Sequence, residues 1–135
     1  MFKDAKAFGG FSVDDVLAAK AFYGDVLGID VDGPQSPEMP IIMLELAGGD
    51  RPTVVYGKPD HEPATFTVLN FPAKDVPGTV GALIERGVVF ERYEGTPMQT
   101  DDDFVFRGGG PLIAWFKDPA GNVLSVVEDA GDDAD

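Results

Sequence analysis

The chain has 135 residues and a mass of 14.4 kDa, one domain's worth of sequence with a single sizeable core, so a second independent domain is not expected. Hydrophobic residues at 44% and charged residues at 25% match ordinary globular proteins and argue against wholesale disorder, and the lack of cysteine removes disulfides, thiolate catalysis and sulfur-ligated zinc. Ten basic against 24 acidic residues leave a formal charge of −14, a field that keeps the protein soluble, repels phosphate backbones and anionic lipid surfaces, and would attract a cationic small ligand.

Nucleic-acid and membrane partners are therefore not expected. The amino-terminal MFKDAKAFGGF has no uninterrupted apolar stretch, and runs such as IIML and LIAWF fall far short of the roughly 20 residues of a membrane span, so a cytoplasmic protein is expected. Ala7, Gly9, Phe11 and Val13 share one side of an extended segment and Phe8, Gly10 and Ser12 the other, which predicts a strand. Asp14 or Asp15 then caps a helix in which Val16, Ala19, Phe22 or Tyr23, and Val26 or Leu27 recur at spacings of three and four, and Gly28 ends it. Ile29-Asp-Val-Asp32 reads as a short edge strand, and Ile41–Leu46 with Thr53–Tyr56 as a hairpin. The proline-bearing Gly57–Pro63 cannot continue a central strand and reads as a boundary.

The pattern then restarts. Thr65–Phe71 predicts a strand, Asp75 a helix cap, Val76, Val80, Leu83 and Ile84 an apolar stripe, Gly87 a helix end, and Val88–Tyr93 another strand. Phe11, Asp15 and Val16 recur at one constant offset as Phe71, Asp75 and Val76, which makes an internal duplication of a β-α-β-β-β unit the better account of the chain. Module one spans about residues 5–58, a linker about 59–63, module two about 64–129, and a disordered acidic tail 130–135. Gly95–Asp103 reads as a long polar loop, either a lid or binding loop or plain irregular surface structure. Leu112–Phe116 and Val123–Val127 flank a Pro119–Gly121 turn and form the last hairpin.

Three conspicuous groups carry bland readings. His61, the only histidine, sits among charged neighbours in the linker and reads as an exposed side chain. Asp101–Asp103 lacks the spaced geometry of a calcium loop and reads as a solvated charge run. Gly108–Gly110 is followed by no lysine or helix start and reads as a turn, not a phosphate cradle, while Glu45 is expected to face solvent from its strand.

Phe11-Ser-Val-Asp-Asp15 leading into Ala21-Phe-Tyr-Gly-Asp-Val-Leu-Gly28, together with Trp115-Phe-Lys-Asp-Pro-Ala-Gly-Asn122, resembles the two signatures of the vicinal oxygen chelate superfamily, from about Ala7 to Glu128. That superfamily includes glyoxalase I, bleomycin-resistance proteins and extradiol dioxygenases. The resemblance implies an α+β fold of two tandem βαβββ modules forming a curved, mostly antiparallel, eight-stranded cup with helices outside. It implies metal-ligand positions on the first, fourth, fifth and eighth strands, and these fall on Phe8, among Val54–Tyr56, between Thr65 and Val68, and on Ser125. None supplies an imidazole or carboxylate, so no metal or other cofactor is expected.

With Phe8, Tyr56 and Ser125 at those positions, and Phe66, Trp115 and Phe106 nearby by strand parity, the expected cavity is aromatic with few polar anchors. The leading expectation is a metal-free small-molecule-binding protein of the glyoxalase/bleomycin-resistance type that sequesters an aromatic or cationic compound through Phe8, Tyr56, Phe66, Arg107, Trp115 and Ser125. The alternative is a lyase, isomerase or dioxygenase-like enzyme working through Tyr56, Ser125 and Arg107, with Arg107 holding a carboxylate or oxyanion. By the same resemblance the chain forms a homodimer, also the commonest oligomer in general.

Overall fold

In the computed structural model residues 1–129 are described, and the expected acidic tail lies outside them. The chain divides into two compact units, Met1–Pro63 and a second beginning at Ala64. Among the described residues there are two α-helices and two mixed sheets, one of four strands and one of three, an α+β architecture.

The first unit begins with β1 (Gly10–Val13), α1 (Val16–Ala21), β2 (Asp30–Asp32), β3 (Ile41–Glu45) and β4 (Thr53–Gly57). The sheet order is β1-β4-β3-β2, with β1 parallel to β4 and the other pairings antiparallel. Asp15, not Asp14, is the helix cap, its carboxylate accepting from the Leu17 and Ala18 amides at 3.0 and 3.1 Å. The helical segment does not run on as one α-helix to Leu27: Phe22–Val26 form a π-helical turn, closed by the Leu27 N–H on the Phe22 carbonyl, before Gly28 at φ 76° ends it. Register places Phe11, Val55 and Ile42 on one face; α1 covers it with Val16 and Ala19, and the π-helical turn adds the wholly buried Tyr23, whose ring meets that of Phe11. Ser12, Tyr56 and Ile41 share the opposite face.

The second unit contains β5 (Thr67–Ala73), α2 (Val76–Glu85), β6 (Ile113–Lys117) and β7 (Val123–Glu128), in sheet order β5-β7-β6. β5 runs parallel to β7, and β6 antiparallel to it. Asp75 caps α2 through the Gly78 amide at 3.0 Å. Ala114, Phe116, Leu124 and Val126 form the buried face on which α2 lays Val76 and Val80. Pro72 is tolerated within β5 because that strand is an edge.

Two predicted strands are shortened. The first starts at Gly10 instead of Ala7, leaving Phe8 ahead of it, although the Gly9 carbonyl already accepts from the Val54 amide. The strand expected over Val88–Tyr93 pairs only as an isolated bridge, Phe90 with Phe116, supported by the Glu91 N–H on the Trp115 carbonyl at 2.8 Å. The alternation that suggested it is real, with Val88 and Phe90 buried and Val89 exposed, but Tyr93 adopts a left-handed φ of 50° and turns the chain off the sheet edge. Each cap is a local, additive contribution. Asp15→Ala and Asp75→Ala are each expected to lower the unfolding free energy in chemical denaturation by about 1 kcal/mol. Asp14→Ala should change it by no more than about 0.5 kcal/mol, as for most surface sites.

Candidate functional site

The face of the second sheet opposite α2 holds the candidate site. Register sets Trp115, Ser125 and Asn70 side by side across β6, β7 and β5, with Val123 and Thr67 in the next row. The sheet face gives one wall of a hollow of 430 Å³, through Trp115 and Val123, a volume within the roughly 300–1,000 Å³ of small-molecule sites. A second wall is the strand start Thr65–Thr67, and a third is the loop after Phe90, which brings in Tyr93, Thr96 and Met98.

Aromatic packing fixes the indole. Trp115 is only 6% exposed; Tyr93 meets it edge-on at 5.4 Å and Phe106 at 5.8 Å between ring centroids. Phe66, by contrast, is 68% exposed, so one aromatic of the hollow is buried and held while another stands at its mouth. Burial, with the negative charge of Glu91 adding to it, raises the Tyr93 phenol above the usual tyrosine value, so this side chain is a neutral hydrogen-bond donor around neutral pH.

The loop is held by its own polar groups. Thr96 donates its hydroxyl to the Tyr93 carbonyl at 2.7 Å and accepts from the Met98 amide at 3.1 Å. The buried Thr100 donates its N–H to the Arg92 carbonyl at 3.0 Å. Asp101 Oδ1 accepts from the amides of Asp103 and Val105, and Asp101 Oδ2 from Arg107 Nε at 2.7 Å. The first aspartate of the predicted solvated run is thus a structural clamp, while Asp102 and Asp103 are exposed.

Of the six residues singled out from sequence, four belong to the second unit and two to the first. Phe66 and Trp115 line one hollow. Ser125 lies next to Trp115 in register, wholly buried, with its hydroxyl donating to Asn70 Oδ1 at 2.6 Å, so a neighbouring strand already satisfies it. Arg107 is committed to Asp101. Phe8 and Tyr56 belong to the first unit; Phe8 is exposed, with the Arg51 guanidinium 4.6 Å above its ring, and Tyr56 is exposed on β4. The trio of Tyr56, Ser125 and Arg107 is therefore divided between the units, and its two second-unit members are engaged locally.

His61 departs from its reading as an exposed linker residue: it is half-buried, with Nδ1 2.6 Å from Ser12 Oγ, because the segment after β4 folds back along β1. Tyr93, Met98 and the threonines went unseen in the sequence. The available signal is the long polar loop that begins just after Tyr93, an aromatic residue at the end of a strand-like alternation.

The donor set does not fit the metal implied by the family resemblance. The corresponding positions offer the ring of Phe8, the hydrocarbons and phenol of β4, the residues entering β5, and a Ser125 hydroxyl already bonded to an amide oxygen. Among the described residues no group of three or more His, Asp or Glu side chains converges, and no step is derived through a metal.

This helix-backed pair of sheets matches known structures over nearly its whole length. A glyoxalase/bleomycin resistance protein/dioxygenase superfamily member from Sphaerobacter thermophilus superposes with a TM-score of 0.62 at 22% identity, over 91% of this chain and 97% of that one. A glyoxalase family protein from Enterococcus faecalis gives 0.66 at 22%, over 95% and 100%. TnmS3, an antibiotic binding protein from Streptomyces sp. CB03234, gives 0.63 at 26%, over 94% and 98%. The chain thus has the vicinal oxygen chelate fold, the fold of the glyoxalase/bleomycin resistance/dioxygenase superfamily. No protein-family model and no curated protein matches the sequence.

Asp101 gives the site a defined pH response. The Arg107 hydrogen bond first, and the Val105 amide next, hold its carboxyl below the ordinary value of 3.8. A depressed carboxyl stabilises the fold above its unfolded pKa and loses that contribution as pH falls through the folded one. Hydrogen exchange at the Val105 amide is expected to be slow at neutral pH and to accelerate, relative to its intrinsic rate, only as the pH falls below 3.8. Asp101→Asn should produce that acceleration at neutral pH.

Proposed function

We propose that the protein binds a flat aromatic small molecule in the hollow of its second unit and performs no bond-making step. The observation that carries this reading is the juxtaposition of Trp115, Tyr93 and Phe66 around a 430 Å³ hollow that no carboxylate, imidazole or amine lines. Such a lining can desolvate and stack a ring, while nothing in it can serve as a general base. A solved neighbour that is an antibiotic binding protein supports a sequestering role. The reading needs only this one hollow and not a cup of eight strands. It keeps the expectations of a cytoplasmic homodimer of the glyoxalase/bleomycin-resistance type; no helix among the described residues is long and apolar enough to cross a membrane.

Trp115 is the only tryptophan in the chain, which makes the site its own reporter. Titration with a panel of fused-ring compounds is expected to quench or shift indole emission and to raise the melting temperature, with EDTA leaving both effects unchanged. Phe66→Ala should weaken binding by about three- to tenfold, the equivalent of an aromatic contact, with little change in the melting temperature of the free protein. A panel in which no compound perturbs the indole would exclude the proposal. Light scattering should give a particle of twice 14.4 kDa.

A further inference from the structure

The net charge of −14 suggests a cationic ligand, but the hollow has a different character from the surface around it. All three of its walls are uncharged, and its polar groups are hydroxyls. The acidic residues flanking Tyr93 each face a basic one: Glu91 Oε1 lies 3.9 Å from Lys117 Nζ, and Glu94 Oε2 lies 3.8 Å from Arg92 Nε. Asp102 lies 3.5 Å from Arg92 and Asp101 is bound to Arg107. A cation entering the hollow would give up its water and meet ring faces but no carboxylate in the lining, and the distributed negative field is screened beyond about 8 Å at physiological salt.

The hydroxyls are not equivalent. Thr96 already donates to a carbonyl and accepts an amide. Thr65 is exposed and met by water. Tyr93 lines the hollow as a neutral phenol, a stronger donor than an aliphatic alcohol, and among the described residues its hydroxyl takes no hydrogen-bond partner. Its ring is set edge-on to Trp115, and its backbone is held at a left-handed φ, a conformation that persists where the surroundings impose it. The chain accepts that conformation at the residue that orients a donor beside the indole.

Resting on the binding role proposed above, we infer that the hollow selects uncharged aromatic ligands carrying a hydrogen-bond acceptor such as a ring-bound carbonyl, and that Tyr93 determines that selection by donating its phenolic hydrogen to the acceptor while the ring lies against Trp115. Ligands of the same shape that lack the acceptor gain only the stacking, and cations are discriminated against despite the charge of the protein.

Three probes of one shape test this: acetylnaphthalene, ethylnaphthalene and naphthylethylammonium, measured by equilibrium dialysis at physiological salt on the wild-type chain, Tyr93→Phe and Thr67→Val. Tyr93→Phe keeps the ring and its edge contact with Trp115. It is expected to weaken the ketone by about three- to tenfold, the worth of one neutral hydrogen bond, and to leave the hydrocarbon unchanged. Thr67→Val, which also alters the lining, should weaken the ketone less than Tyr93→Phe does, and the ammonium should bind the wild-type protein about tenfold or more weakly than the ketone. Binding of ketone and hydrocarbon that Tyr93→Phe alters equally or not at all, loss of the ketone with Thr67→Val alone, or an ammonium that binds more tightly than the ketone would each overturn the inference while leaving an aromatic site intact. Binding by none of the three probes would remove the binding role itself.

Discussion

The indole of Trp115 is the fixed point of the molecule's candidate chemistry. It is fixed by sheet register: β7 lies between β5 and β6, and the antiparallel pairing of Trp115 with Ser125 brings Asn70 into the same row from the parallel side. Ser125 and Asn70 close a half-buried hydrogen bond within that row, so the buried Ser125 hydroxyl needs no water or ligand to satisfy it. Tyr93 and Phe106 then clamp the ring from the loop side. The hollow is thus made by elements distant in sequence converging on one side chain, with α2 holding the opposite face of the sheet through Val76 and Val80.

Much of the architecture was legible because it rests on short-range rules. Aspartate followed by a stripe at spacings of three and four announced both helices, and Asp15 and Asp75 cap them. Gly28 and Gly87 end the helical segments with positive φ, and the Pro119–Gly121 turn joins the two strands that bracket it. The rule failed where a backbone conformation overrode a side-chain pattern. Val88–Tyr93 alternates as a strand should, yet its pairing ends at Phe90 because Tyr93 turns left-handed, and alternation carries no information about that φ. The π-helical turn at Phe22–Val26 was invisible for a similar reason, since an apolar stripe at spacings of three and four does not report which backbone hydrogen bond closes each turn.

The candidate site was legible only in part. Trp115 and Phe66, which strand parity groups together, both line the hollow, although Phe66 precedes β5 and Thr65, Phe66 and Thr67 line it side by side. Parity says nothing of the partners of Ser125 and Arg107, Asn70 and Asp101, which lie 55 and 6 residues away and are set by register and by loop closure. His61 shows the same limit: 49 residues separate it from Ser12, and only the return of the chain past β4 puts the two within 2.6 Å. Surface charge was the weakest guide, because it describes the solvated exterior while the hollow is lined by rings and hydroxyls.

Edge composition has a further consequence. β2, at one end of the first sheet, is three residues long and carries Asp30 and Asp32. β5, at one end of the second, contains Pro72, which has no amide hydrogen to lend to an incoming chain. A foreign strand approaching either rim meets repulsion at the first and an interrupted ladder at the second, so growth of ordered aggregates from these borders is disfavoured.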